Sequence, residues 1–183
     1  MEKSKKMVAI VGMCGVGKSV ASEILEDLGY KKVYFGGVNI NKLKEANLEI
    51  NPKNEKMMRE KLRAEYGMGA FASILLPTIL EYQKTNDVVL DGLYSFDELK
   101  ILREALGDTL KLIAVVSDRE LRYERLSKRE IRPLTKEEAI KRDIAEIENI
   151  AKGGPIAMAD FYINNNYDEL TYKTNLLEII DKI

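Results

Sequence analysis

A glycine-rich segment at residues 12–19 constrains the fold of this chain more than any other feature. It reads Gly-Met-Cys-Gly-Val-Gly-Lys-Ser and fits the P-loop pattern G-x-x-x-x-G-K-S, which lies between a buried strand and a helix. The apolar run Met7–Val11 precedes it, and apolar residues at helical spacing follow it over residues 20–28. The sequence therefore predicts a strand, a tight loop and a helix in that order.

The same segment has the residue types that a phosphate-binding loop needs. Its glycines let successive backbone N–H groups turn inward as an anion-binding nest, and the following helix directs its positive end at the anion. Lys18 can reach the β- and γ-phosphates, and the Ser19 hydroxyl can ligate Mg²⁺. The predicted nucleotide-binding residues here are Gly12, Met13, Cys14, Gly15, Val16, Gly17, Lys18, Ser19 and Val20.

Cys14 is the only cysteine of the chain, so an internal disulfide is excluded. Its position in the loop fits either a small side chain at a variable position or a redox-sensitive thiol beside a helix N-terminus. The sequence contains no histidine. Ser-His and Cys-His nucleophilic machinery and His-ligated metal sites are therefore excluded, and acid–base chemistry must come from Asp, Glu, Lys or Tyr.

Length and composition predict an ordinary soluble protein with a single domain over residues 1–183. The formal net charge of −1 argues against a strongly electrostatic nucleic-acid partner. No apolar stretch approaches the roughly 18 residues of a membrane span. Residues 1–6 are charged and lead straight into the first strand without a signal segment, so we expect a cytoplasmic protein. The oligomeric state stays open.

Four further strand candidates, at residues 32–35, 88–90, 112–116 and 161–163, are separated by helical stretches. This alternation predicts an α/β fold with three layers and a five-stranded parallel sheet covered on both faces.

Helix starts and breaks are marked along the chain. Capping boxes are predicted at Ser95, Ser117 and Thr135. Residues 39–86 read as a helical insertion, broken at Asn51-Pro52, at Gly67 and at Gly69, with a kink expected at Pro77.

The third strand candidate ends in Asp91-Gly92, which is typical of a Walker B segment whose carboxylate holds Mg²⁺. The strand order would place Asp91 at a carboxyl end of the sheet, where α/β proteins bind ligands. Asp91 is then a metal ligand and a candidate catalytic base. Alternatively, it is a turn aspartate before glycine.

A run of arginines could stabilise charge on a phosphoryl group. Arg122, Arg125 and Arg129 have the spacing of one helix face, and Arg132 follows in a break between two helices. The alternative is a solvated charged face. The pair at residues 142–143 could close over the site or could be a surface charge pair.

Three more residues could contact a nucleotide or an acceptor. Arg63, near Arg59 and Lys61, could hold an acceptor phosphate, or this helix could simply have a charged exterior. Tyr94 comes shortly after the third strand and could face the same cleft. Asn164 opens a run of asparagines that could read an adenine edge or could simply start a helix.

In these segments the chain resembles the nucleotide-kinase branch of P-loop enzymes, specifically dephospho-CoA kinase and adenylate kinase relatives. The resemblance runs end to end. It implies that Arg125 and Arg129, where a lid starts, contact ATP phosphates, and that residues 159–165 form the strand before the adenine-binding loop. It also implies that the insertion binds the acceptor, and we expect the lid at about 129–135. Besides the P-loop, it is carried by residues 62–67, 69–70, 89–92, 125–129, 141–143 and 159–165.

Two segments depart from that family's pattern. The family usually has Gly-Asp-x-x-Arg after the second strand, whereas residues 36–41 read Gly-Gly-Val-Asn-Ile-Asn. Tyr94 stands where an arginine often follows the Asp-Gly of the third strand. Gly37, Arg63 and Tyr94 remain the candidate acceptor-binding residues, and the identity of the acceptor stays open.

The expected function is ATP- and Mg²⁺-dependent phosphoryl transfer to a small phosphorylated acceptor, such as a nucleotide or a dephospho-CoA-like compound. The expected catalytic residues are Lys18, Asp91, Arg125, Arg129 and Arg132. Two alternatives remain: a nucleotide-binding regulatory ATPase or switch, and a partner-binding protein with a vestigial P-loop. The sequence has no Asn-Lys-x-Asp guanine signature, which argues against a GTPase.

Overall fold

A computed structural model of the protein describes residues 5–183. A five-stranded sheet lies at its centre, and all strand pairs in it are parallel, in the order β2-β3-β1-β4-β5. The strands are β1 (Met7–Val11), β2 (Lys31–Tyr34), β3 (Val88–Asp91), β4 (Leu110–Val116) and β5 (Phe161–Asn164). The predicted three-layer α/β fold with a five-stranded parallel sheet is confirmed.

Helices connect the strands and cover both faces of the sheet. They are α1 (Lys18–Asp27), α2 (Gly36–Glu45), α3 (Pro52–Tyr66), α4 (Ala70–Gln83), α5 (Phe96–Leu106), α6 (Arg119–Ser127), α7 (Lys136–Ile150), α8 (Gly153–Ala157) and α9 (Glu169–Lys182). Within residues 5–183, no helix is long and apolar enough to cross a membrane.

The alternating side chains of β1 divide the core into two layers. Met7 and Ala9 pack with helices α2 to α5, whereas Val8 and Ile10 pack with α1 and α9. All four side chains are fully buried, as expected for a central parallel strand covered on both faces. A smaller apolar cluster joins the P-loop to α6 and α7.

Two of the three predicted capping boxes are confirmed. The Ser95 and Thr135 side chains accept from the backbone of the third helical residue, and Glu98 and Glu138 complete the boxes. The box predicted at Ser117 is wrong. Asp118 is the N-cap of α6 and makes no side-chain cap, because the Ser117 hydroxyl donates to the Asn165 carbonyl at 2.7 Å instead.

The segment predicted as a helical insertion contains α3, α4 and most of α2. Asn51 caps α3 by accepting from Asn54 N at 2.9 Å, and Pro52 is its first residue. Gly67, with φ of 80°, ends α3, and α4 follows Gly69. The expected breaks therefore occur. Pro77 lies inside α4, and the kink there stays a prediction. In the charged N-terminal segment, residues 1–4 lie outside the described residues.

Candidate functional site

The P-loop turns between the buried end of β1 and the start of α1. Gly15 and Gly17 have φ of 84° and 94°, a left-handed conformation that favours glycine. A Cβ on Gly12 would collide with the Val115 carbonyl oxygen of the neighbouring strand. The glycines are thus required by backbone conformation and by close approach, and α1 begins at Lys18, directly after the loop.

Lys18 turns back over the loop that precedes it. Its Nζ donates to the Met13 carbonyl at 2.8 Å. Burial, and secondly the positive charge of Lys152, lower the pKa of Lys18 to about 7. An anion in the loop would reverse this shift because it would favour the charged ammonium.

Three side chains from distant parts of the chain contact the P-loop backbone. The Asn165 side-chain amide donates to the Val16 carbonyl at 2.8 Å, and the Tyr172 hydroxyl donates to the Gly17 carbonyl at 3.0 Å. Arg122 donates to the Cys14 carbonyl at 2.9 Å. Sequence analysis considered the asparagine run that contains Asn165 for an adenine edge or a helix start, not for this contact with the loop. It missed Tyr172, which forms no recognisable motif with a loop about 150 residues away.

Arg122 is a structural arginine. It is 7% exposed and makes a bidentate pair with Asp143 of α7 at 2.6 and 3.1 Å. The Tyr123 hydroxyl donates to the same carboxylate at 3.0 Å. The prediction that Arg122, Arg125 and Arg129 share one helix face is wrong, because α6 ends at Ser127 and Arg129 lies beyond it.

A cleft of about 400 Å³ opens beside the P-loop, where β3 ends. It brings together seven of the predicted site residues outside the loop glycines: Cys14, Lys18, Ser19, Asp91, Tyr94, Arg125 and Arg129. The full lining is Cys14, Gly15, Gly17, Lys18, Ser19, Tyr34, Asp91, Tyr94, Arg125, Arg129, Arg142 and Lys152.

Asp91 is the last residue of β3 and is buried at the base of this cleft. Its carboxylate accepts from the Ser22 hydroxyl at 3.0 Å and lies 4.0 Å from Lys32 Nζ. The Ser22 hydroxyl also lies 2.9 Å from the Ser19 carbonyl oxygen. Ser22, which sequence analysis missed, therefore joins the first turn of α1 to the strand carboxylate. The available sequence signal was its spacing of three residues from Ser19, which places both residues on one face of α1.

Asp91 ends β3 on one side of β1, whereas Arg125 and Arg129 follow β4, on the other side of β1. Arg125 donates to the Ser117 hydroxyl at 3.1 Å and to the Asn165 carbonyl at 2.9 Å. Arg129 Nη1 lies 3.9 Å from the Cys14 sulfur. Both guanidinium groups line the cleft, so the helix α6 and the residues after it bring two cations to the phosphate loop.

Arg132 lies outside the cleft lining and reaches the helical insertion instead. Its guanidinium makes a bidentate pair with Glu55 of α3, at 2.9 and 3.3 Å. Arg132 itself has φ of 54°, in the loop between α6 and α7. This exposed ion pair links the predicted lid segment to the layer of helices predicted to bind the acceptor.

Arg142 and Lys152 add two cations to the cleft lining. Both contact Glu146: Lys152 Nζ donates at 2.6 Å, and Arg142 Nε donates at 3.1 Å. Lys152 Nζ also lies 4.9 Å from the centroid of the Tyr94 ring. Burial raises the pKa of the Tyr94 hydroxyl. Sequence analysis left Arg142 open and missed Glu146 and Lys152.

The remaining candidates, Gly37, Arg63 and Asn164, lie outside the cleft lining. Arg63 packs its guanidinium 5.9 Å from the Phe71 ring centroid, and its buried Nε has no hydrogen-bond partner among the described residues. Gly37 is in the first turn of α2, beside the Tyr34 ring. Asn164 accepts from its neighbour Asn166 N at 3.0 Å.

Comparison with protein families supports the P-loop assignment. A family model described as an AAA domain matches residues 8–148. A UPF0200 protein of Thermococcus onnurineus is 31% identical over 181 residues, covering 97% of each chain. A UPF0200 protein of Saccharolobus solfataricus is 33% identical over 184 residues, covering 97% of this chain and 94% of that protein.

Solved structures with similar folds include P-loop kinases. TT1252 from Thermus thermophilus superposes with a TM-score of 0.60 at 17% identity, covering 98% of both chains. Shikimate kinase from Bacteroides thetaiotaomicron has a TM-score of 0.59 at 12% identity, covering 97% of both chains. Dephospho-CoA kinase from Campylobacter jejuni has a TM-score of 0.58 at 16% identity, covering 98% of this chain and 97% of the kinase. At these identities the likeness concerns the fold.

Proposed function

Because this chain belongs to the UPF0200 family and has the fold of P-loop kinases, we propose that it is an ATP-dependent, cytoplasmic small-molecule kinase. The single observation that carries the proposal is the cleft itself. It places the P-loop lysine, the strand carboxylate Asp91 and the arginines Arg125 and Arg129 around one space at the carboxyl end of β3.

The residues present fit a nucleotide with Mg²⁺. The left-handed Gly15 and Gly17 turn the loop at the N-terminus of α1, where backbone N–H groups favour an anion. Lys18 would hold the β- and γ-phosphates. Ser19 and Asp91 would hold Mg²⁺, a hard cation suited to one hydroxyl, one carboxylate and phosphate oxygens. When bound, Mg-ATP supplies the phosphoryl group.

The arginines would neutralise charge on the group that moves. Arg125 and Arg129 already line the cleft, where fixed cations need no reorganisation during transfer. Residues of about 129–135 would act as the lid. The Arg132–Glu55 pair supports this role because it joins that segment to the helical insertion, and a closed lid would help to exclude water. Arg132 would reach the phosphates only after this pair opens.

The acceptor would be a small phosphorylated compound, a nucleotide or a dephospho-CoA-like molecule, bound against the helices of about 39–86. Gly37, Arg63 and Tyr94 are its candidate contacts. One similar fold belongs to a dephospho-CoA kinase, which supports this acceptor class.

The test is ADP formation with Mg-ATP alone and with a panel of nucleoside monophosphates, dephospho-CoA and shikimate. We expect at least one phosphorylated acceptor to stimulate turnover, and Lys18→Met and Asp91→Asn to abolish that stimulation. Lys136→Met, on the exposed surface of α7, is the matched control and should retain it. ATP binding without stimulation by any acceptor would contradict the kinase proposal.

A second candidate, a nucleotide-dependent regulatory ATPase or switch, is favoured by residues 36–41 and by Tyr94. This stretch and position lack the charged groups by which similar kinases hold an acceptor nucleotide. The same panel separates the two functions. Turnover that no acceptor changes would favour the ATPase.

A further inference from the structure

Lys152 occupies an unusual position for a lysine. It lies in the two-residue turn between α7 and α8, directly after Ala151, whose φ of 49° reverses the chain direction. It is only 2% exposed, although lysine is rarely buried in proteins. Its side chain nevertheless lines the cleft that contains Lys18 and Asp91. The turn thus places a buried cation at the candidate nucleotide site.

The surroundings of Lys152 fix its ammonium without neutralising the local charge. Glu146 accepts from Lys152 at 2.6 Å and from Arg142 at 3.1 Å, so two cations share one carboxylate. The Tyr94 ring lies 4.9 Å from the Lys152 nitrogen and supplies its π-face to the cation. Near Tyr94, where the sequence lacks an arginine, the fold therefore supplies a lysine from a distant element.

Lys152 and Lys18 face the same space from different elements. Lys18 donates to the Met13 carbonyl, which leaves its other protons available to a ligand. Both side chains line this cleft, whose lining has Asp91 as its one carboxylate. Two buried like charges are unfavourable unless an anion lies between them or beside them. If the Lys152–Glu146 pair had only a structural role, Lys152 would not need to line the same cleft as Lys18.

We propose that Lys152 binds the terminal phosphoryl group of the bound nucleoside triphosphate, with Glu146 and Tyr94 as its positioning residues. This inference rests on the proposed nucleotide site. It assigns to Lys152 a contact with the γ-phosphate, whereas the P-loop backbone contacts phosphates that ADP also carries. Lys152 is therefore a residue that distinguishes ATP from ADP.

The experiment compares the binding of AMP-PNP and ADP, each with Mg²⁺, by calorimetry. For Lys152→Met we expect AMP-PNP affinity to fall about tenfold or more, as for loss of a charge-assisted hydrogen bond, and ADP affinity to stay within about twofold. Lys152→Arg should restore part of the AMP-PNP affinity. Lys136→Met is the matched control, because its exposed lysine pairs with Glu120 and neither residue lines the cleft.

The ratio of the AMP-PNP affinity to the ADP affinity distinguishes a phosphate-binding role of Lys152 from a purely structural one. A structural role would lower the melting temperature and weaken both nucleotides alike, and an unchanged ratio would overturn the proposal. If Lys152→Met does not fold, Lys152→Gln gives the same comparison, because its side-chain amide can still donate to Glu146 but has no charge. Wild-type protein that binds neither nucleotide would contradict the proposed function itself.

Discussion

At the scale of single residues, Lys18 is a buried lysine whose protonated form is disfavoured by its surroundings. Its ammonium is buried in the loop with one carbonyl partner and with Lys152 nearby, and its pKa is lowered to about 7. A bound polyphosphate would favour the charged form, so part of the binding free energy would come from relief of this burial. Proton uptake on nucleotide binding near pH 7 follows from the same reasoning.

Without nucleotide, Lys18→Met should raise the free energy of unfolding above that of wild type, and this difference should be larger at neutral pH than at alkaline pH. Unfolded Lys18 stays protonated up to about pH 10.5, whereas the folded residue loses its proton near pH 7. Between these values the unfolded chain binds more protons than the folded protein. The contribution of Lys18 to the wild-type free energy of unfolding therefore rises with pH. The advantage of Lys18→Met should therefore shrink from pH 7 to pH 9.

Urea unfolding of both proteins without nucleotide, at pH 7 and pH 9, measures this change. Lys136→Met, at an exposed position on α7, controls for the loss of a lysine charge elsewhere. An advantage that stays constant over this interval would show that Lys18 does not titrate there.

At the scale of elements, the buried pair between Arg122 of α6 and Asp143 of α7 joins these two helices to the P-loop. Arg122 also donates to the Cys14 carbonyl, so the pair and the loop form one hydrogen-bonded unit. Asp143→Leu should destabilise the protein by about 3–5 kcal/mol, because it leaves the buried guanidinium uncompensated. It should also weaken nucleotide binding, since the loop loses a fixed support.

The same two helices provide a matched control. Glu120 of α6 and Lys136 of α7 form an exposed pair at 2.6 Å, and Lys136→Met should change the free energy of unfolding by less than about 1 kcal/mol. Urea unfolding of both variants makes the comparison. Equal effects would mean that burial of the Arg122 pair has no special energetic role.

The elements of this fold were largely predictable, whereas the supports of the site were not. Apolar runs and glycine spacing are local patterns, so β1, the P-loop and the breaks around α3 follow from short stretches of sequence. The direction of a side chain depends on its tertiary neighbours. Arg122 and Arg129 have the spacing of one face, yet the end of α6 at Ser127 separates their roles.

At the scale of the whole molecule, charge is concentrated where the sheet ends. The cleft lining contains five cations and one carboxylate, in a chain whose net charge is −1: Lys18, Arg125, Arg129, Arg142, Lys152 and Asp91. Such a local positive field attracts polyanions without making the surface basic as a whole. It suits a nucleotide and a phosphorylated acceptor bound together.

Salt should therefore weaken binding of a polyphosphate selectively. Raising NaCl from about 0.05 M to about 0.5 M should lower the affinity for Mg²⁺ and AMP-PNP by roughly tenfold through screening. Adenosine has no phosphate and should bind with little dependence on salt. Calorimetric titrations at the two salt concentrations give both values, and an equal loss for the two ligands would point to a general effect on folding.

Because Asn165 and Tyr172 contact the P-loop backbone, we expect the loop to reach its final conformation only after these late residues have been synthesised. The loop backbone at Val16 and Gly17 depends on partners about 150 residues later in the chain. A ribosome-bound chain that lacks β5 and α9 has the complete P-loop sequence but not its anchors. A nucleotide bound at the proposed site would then favour the finished protein over its incomplete precursors.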